Sequence, residues 1–146
     1  MFKTVTSIFF AAMILFFPQS SSANSKAYQE KLNAIEKSES ACIDKAEGVT
    51  SEILECAGKA FKEYDALLND SYKHLRTAVK NDTAYYEALR TEQLAWIKLN
   101  KAAIDNIYKS GGGGTIDQIK AAGASAKIIT NRIELFIYLI LCQEEP

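Results

Sequence analysis

The chain has 146 residues, with 17 basic and 18 acidic side chains for a formal charge of −1. Such balance argues against a nucleic-acid surface, which needs concentrated Lys and Arg. It is also too weak to steer a strongly basic partner over long range.

The N-terminus reads as an export signal over residues 1–23. Met1 and Lys3 give a positive start, Val5 to Phe17 is an apolar run, and Pro18 ends it. Ser21-Ser22-Ala23 then supplies the small residues that a signal peptidase needs. The run is shorter than the ~20 apolar residues that span a bilayer; an uncleaved anchor is the alternative. No cysteine lies near the cut, so there is no lipoprotein signal. The expected location is periplasmic or secreted, without stable membrane insertion after signal removal. Residues 24–146 then form a single domain with a modest core. Losing Lys3 from the 17 basic residues leaves 16 against 18 acidic ones, a charge of −2.

Four helices follow by period. The first carries Tyr28, Leu32, Ile35, Ser38, Cys42 and Ala46, with Gly48 as a stop just beyond it. The second opens at Thr50, whose hydroxyl is expected to cap it, with Val49 and Leu54 at staple positions. Its apolar face reads Ile53, Cys56-Ala57, Ala60-Phe61, Tyr64, Leu68, Tyr72, Leu75 and Val79. Asn81-Asp82 interrupts the pattern, and Asp82 caps the third helix. That helix carries Tyr85, Leu89, Gln93, Trp96, Leu99, Ala103 and Ile107, and stops at Ser110 and four glycines, which cannot hold helical order cheaply. Thr115 and Gln118 read as a capping box opening the fourth helix. Its apolar residues are Ile116, Ile119, Ala122, Ala126, Ile129, Ile133, Phe136 and Ile140. The run Leu135 to Leu141 is apolar all round, so packing on several sides is expected. Glu144-Glu145-Pro146 is expected to fray. There is no strand-like alternation and no repeat. The fold class is therefore all-α, an antiparallel bundle of about four helices.

The cysteines are Cys42, Cys56 and Cys142. In an exported protein a bridge is the default, and three single bridges are open. Cys42–Cys56 is favoured because both flank one short connection. Cys142 is left free, bridging a second chain, or replacing one member of the pair.

Residues suited to chemistry are few. His74, the single histidine, lies off the main apolar stripe and reads as a solvated helix position; a zinc site would need more His or Cys. Nucleophilic catalysis needs a base beside the nucleophile, so a non-enzyme is expected, with no cofactor. The glycine run lacks the Gly-Lys-Ser/Thr ending and preceding strand of a phosphate loop. It reads as a flexible connection that can serve as a recognition loop, Lys109 to Thr115 (Lys109, Ser110, Gly111, Gly112, Gly113, Gly114, Thr115).

Most carboxylates, among them Glu52, Glu55, Glu63, Asp70, Glu87 and Glu92, read as a solvated face. Asp65 neighbours the stripe of Phe61, Leu68 and Tyr72, and Asn69 and Gln93 also lie at its edge. A carboxylate there wants a cation or several donors, and Arg132 on the fourth helix is the expected partner. Asp65, Asn69, Gln93 and Arg132 thus read as a structural polar tie setting helix register, with ligand contact as the alternative. Phe61, Leu68, Tyr72, Leu75 and Trp96 are expected in the core, with Tyr86 and Tyr108 nearer the surface.

Taken together, these residues resemble the lysozyme inhibitor LprI-like family of small exported helical domains, from Cys42 to about Leu135. The resemblance is carried by Glu55-Cys56-Ala57, Phe61, Asp65, Leu68-Asn69, Tyr72 and Leu75. Leu89, Gln93 and Ala95-Trp96-Ile97-Lys98 continue it, followed by the glycine connection, Thr130, Arg132 and Leu135. The family pattern usually continues after Trp-Ile with an aromatic, an Arg-Asp pair and a cysteine; here Leu99, Asn100-Lys101 and Ile104 stand there. A cysteine usual around Ala124 is also absent, consistent with loss of one bridge and retention of Cys42–Cys56. Cys142 has no matching place, and the first helix, Ser25 to Ala41, is an addition. The resemblance implies an envelope protein that binds and blocks a cell-wall hydrolase such as a lysozyme, with the glycine loop as the element entering the enzyme's cleft. The alternatives are an immunity or interaction module for another envelope toxin, or a structural helical protein.

Overall fold

The computed structural model describes residues 23–144; residues 1–22 of the expected signal peptide and the last two residues lie outside the described residues. Four helices account for the fold: α1 Ala23–Lys45, α2 Thr50–Ala78, α3 Thr83–Ser110 and α4 Thr115–Glu144. Among the described residues no helix is long and apolar enough to cross a membrane.

The breaks between helices follow local chemistry. After α1 the chain turns through Glu47 at φ 46° and Gly48 at φ 86°, left-handed values that glycine adopts without strain. The α2 cap differs from expectation. Val49 is the capping residue, it makes no side-chain cap, and Thr50 already lies inside the helix. Asp82 caps α3 as expected, its Oδ1 accepting from the Tyr85 N–H at 3.0 Å.

The contacts between α1 and α2 are compatible with antiparallel neighbours. Near the start of α1, Tyr28 donates to the Asp70 carbonyl at 3.5 Å and meets the His74 ring edge-on at 5.7 Å, both near the end of α2. At the other end Cys42 and Cys56 are bridged, their Cα atoms 5.7 Å apart. Cys142 is an exposed free thiol. Burial, then the Asp70 charge and hydrogen bond, push the Tyr28 phenol up to about 12. Tyr64 donates to Glu39 Oε2 at 2.7 Å; burial first, then that carboxylate, hold its phenol far above the ordinary range.

Glu144 does not fray. Its carboxylate accepts from the Asn24 N–H at 3.1 Å and from Ser25 Oγ at 2.8 Å, closing the first turn of α1. Burial raises its pKa, but the hydrogen bonds from Ser25 and Asn24 outweigh that and leave it below the usual carboxylate value.

The core lies between α2 and α4, which share the largest interface. Leu75, Ile133 and Phe136 are fully buried there, and each such side chain contributes about 1.5–3 kcal/mol of burial. The Tyr72 ring, half-buried, stacks on Phe136 at 5.5 Å. α1 covers one side with Tyr28 and Leu32. α3 rests on α4 and adds only Leu89 and Gln93 to the buried set.

Two expectations about burial need correction. Phe61 is 44 % exposed rather than core, because it sits on the flank of α2 where α3 stands off. The end of α4 is not packed all round: Phe136, Ile137 and Ile140 are buried, whereas Leu135 and Tyr138 are 41 % and 61 % exposed. The three other helices leave one side of α4 open.

Candidate functional site

Arg132 organises the contact between α3 and α4. Only 3 % exposed, it donates Nε to Gln93 Oε1 at 2.8 Å and Nη2 to the same oxygen at 2.7 Å. Its Nη1 donates to Glu92 Oε1 at 2.5 Å, and Nη2 pairs with Glu92 Oε2, giving a bidentate fork. The guanidinium also lies 4.5 Å from the Phe136 ring centroid and 5.4 Å from that of Trp96. A buried cation is thus matched by one carboxylate, one carboxamide and two ring faces.

The tie expected from sequence therefore divides. Gln93 and Arg132 meet, but the carboxylate is Glu92 rather than Asp65, and the Glu92 side chain remains 54 % exposed. Asp65 stays on α2 with Asn69, whose Nδ2 donates to the Asp65 carbonyl at 2.8 Å and to its Oδ2 at 3.1 Å. The guanidinium fork is instead filled from α3, by Glu92 and Gln93. The signal for Glu92 was its place one residue before Gln93, on the turn that faces α4.

Where α3 stands off α2, a groove of about 430 Å3 opens. Phe61, Asp65, Leu68 and Asn69 line it from α2; Gln93, Trp96, Asn100 and Ile104 line it from α3; Ile129 lines it from α4. The half-exposed Phe61 and partly buried Trp96 thus share one cleft with polar groups. Lys101 and Asp105 line its rim.

The connection between α3 and α4 is built rather than loose. Tyr108 donates to the Gly113 carbonyl at 3.3 Å, Ser110 Oγ to Ile107 at 3.0 Å, and the Gly112 N–H to Lys109 at 3.3 Å. Gly112 and Gly113 take φ of 90° and 80°. Asp117, 3 % exposed, accepts from the Gly114 N–H at 3.2 Å and pairs with Lys120 at 3.4 Å. A Cβ on Gly111 would fall 1.9 Å from Asp117 Oδ1, so the turn and the helix start are one unit. The reciprocal cap of α4 is therefore Gly114 with Asp117, not Thr115 with Gln118. Around this peg Lys109, Ser110 and Thr115 are exposed at the end of the bundle that also carries the Cys42–Cys56 bridge.

Among the described residues no group of three or more His, Cys, Asp or Glu is placed to hold a metal ion. Against this geometry, a model of the family described as Lysozyme inhibitor LprI matches residues 42–135. The chain belongs to the LprI family. No curated protein and no solved structure matches it. The LprI match begins at the bridged Cys42, spans α2, α3 and the glycine turn, and ends three residues beyond Arg132. It thus contains the tie, the groove and the turn, and leaves out most of α1.

Proposed function

We propose that this protein is a non-catalytic envelope protein that binds a cell-wall hydrolase, a lysozyme first, and blocks its cleft with the turn from Lys109 to Thr115. The observation that carries the reading is the LprI family match over residues 42–135. The turn supports it in a specific way. A segment that enters a cleft loses less entropy on binding if it is already ordered, and this one is held by its own hydrogen bonds and by buried Asp117. Lys109 at its edge offers a cation to the acidic catalytic pair of a lysozyme cleft. Export is part of the reading. It rests on the apolar run with its small-residue cut in residues 1–23 and on the bridged pair, which fits an oxidising compartment.

Calorimetric titration of chicken-type and goose-type lysozymes with the purified protein tests this. The expected result is saturable binding to at least one enzyme, weakened about tenfold or more by Lys109→Glu with Tyr108→Ala. Absence of heat with both enzymes, or undiminished affinity in the turn variant, would remove the reading or move it off the turn.

A further inference from the structure

The α2–α3 groove shares no residue with the Lys109–Thr115 turn, so what it does is a separate question. Its volume of about 430 Å3 falls among small-molecule sites, which run from about 300 to 1,000 Å3. Two aromatic side chains, Phe61 and Trp96, border it. Between them stand short planar polar groups: Asp65 with Asn69 on one wall and Asn100 on the other.

Asn100 carries the argument. Its Oδ1 is shut from solvent and has no hydrogen-bond partner. A buried acceptor left without a donor is costly, and such groups call for an explanation. The Asn100 side chain lines the groove, so a small rotation that carries its oxygen to the open side lets an incoming donor reach it. The occupant that fits must supply O–H or N–H donors along its edge and an apolar face for the rings. An apolar helix from a partner would cover Phe61 and Trp96 but leave the Asn100 oxygen without a donor and give the Asp65 carboxylate none beyond the one it has from Asn69. The charges at the far rim, Lys101 and Asp105, are paired with each other at 3.2 Å, and the remaining charge of the lining is the Asp65 carboxylate, so the groove offers no unpaired cation to an anionic ligand.

We infer that this groove is a saccharide-binding site, suited to one or two rings of an acetamido sugar. The C–H face of a pyranose lies against an aromatic ring, its hydroxyls donate to Asp65, its amide N–H donates to Asn100, and its acetyl methyl takes the apolar floor at Leu68.

Trp96 is the single tryptophan of the chain, so its fluorescence reports on the groove directly. Purified protein with its disulfide intact is titrated with the N-acetylglucosamine trimer, and with the glucose trimer as the control that lacks acetamido groups. The expected result is a saturable change in Trp96 emission at millimolar or lower N-acetylglucosamine trimer and none with the glucose trimer. Asn100→Leu and Phe61→Ala, each with an unchanged thermal melt, should weaken it about tenfold, the loss of one buried hydrogen bond or one ring contact. Three results would overturn the inference: no saturable change with the acetamido trimer, equal response to both trimers, or full binding in both variants. Saturation by an amphipathic helical peptide with the trimer silent would also overturn it, in favour of a protein occupant. Lysozyme binding at the turn is measured separately, so either claim can fail alone.

Discussion

The Glu92–Arg132 pair predicts an asymmetry that is unusual for an ion pair. Arg132 is 3 % exposed while Glu92 keeps 54 % of its side chain in solvent. Removing Glu92 strands a buried cation. Breaking a buried pair this way typically costs 3–5 kcal/mol; with solvent at the Glu92 edge the expected cost of Glu92→Ala is about 2–3 kcal/mol. Removing the cation instead releases Glu92 to water. Arg132→Met keeps most of the stem volume beside Phe136 and Trp96, and its main penalty is the buried Gln93 Oε1 left without its two donors, about 1–2 kcal/mol. The double variant Glu92→Ala, Arg132→Met carries only that second penalty. It should therefore be about 1 kcal/mol more stable than Glu92→Ala alone. Urea unfolding followed by far-ultraviolet circular dichroism, with the disulfide oxidised, reads all three. A double variant less stable than Glu92→Ala, or a Glu92→Ala protein as stable as the parent, would refute the view of Arg132 as a desolvated cation dependent on Glu92.

Other consequences follow from single contacts. Reducing the Cys42–Cys56 bridge, which closes a separation of 14 residues, should cost about 3 kcal/mol of stability, read in the same unfolding assay, whereas Cys142→Ser should leave unfolding unchanged. Gly111→Ala drives a Cβ into Asp117 and should destabilise by about 1–3 kcal/mol; Gly58→Ala, in the interior of α2 with nothing within 4 Å, should instead stabilise by about 0.5–1 kcal/mol. Glu144, its folded pKa lowered, contributes stability that is present above its ordinary value of 4.5 and is lost as pH falls through the folded value. Glu144→Gln should flatten that acid limb in melts measured across it, and an unchanged limb would show that the contact with α1 carries no net stabilisation. Tyr28, pushed up to about 12 from 10.0, works in the other direction: stability is lost as pH rises through that window, and Tyr28→Phe should reduce the loss.

What was legible in the sequence is what local chemistry decides. Gly48, Asp82 and the Ser110–Gly111 stop mark helix ends because caps and breakers act within a turn of themselves. The favoured Cys42–Cys56 pairing followed from a short connection, and the structure has it. The errors share a cause. Thr50 and Thr115 each lie one position inside the helix, because Val49, in extended conformation, and Gly114, whose carbonyl accepts from the Asp117 and Gln118 N–H groups, stand before it. Phe61 was assigned to the core from periodicity, but its burial depends on how far α3 stands from α2, which no local pattern encodes. Asp65 was assigned to Arg132 for the same reason; the choice between Asp65 and Glu92 is set by the register of α3 on α4. Asn100 is legible in the sequence only as a departure from the resembled pattern, because an amide on a helix is ordinary until its neighbours deny it a donor. The candidate site was thus readable as a set of residues, and unreadable as a groove.

A protein that blocks a cell-wall hydrolase, as proposed for this LprI-family chain, should slow the enzyme on its natural substrate. The most direct measurement is the rate at which chicken-type and goose-type lysozymes clear a cell-wall suspension, with and without micromolar protein. Clearance by at least one of them should slow, saturating with added protein, and should be restored when Lys109→Glu, Tyr108→Ala protein replaces the parent. Unchanged clearance by both enzymes would contradict it.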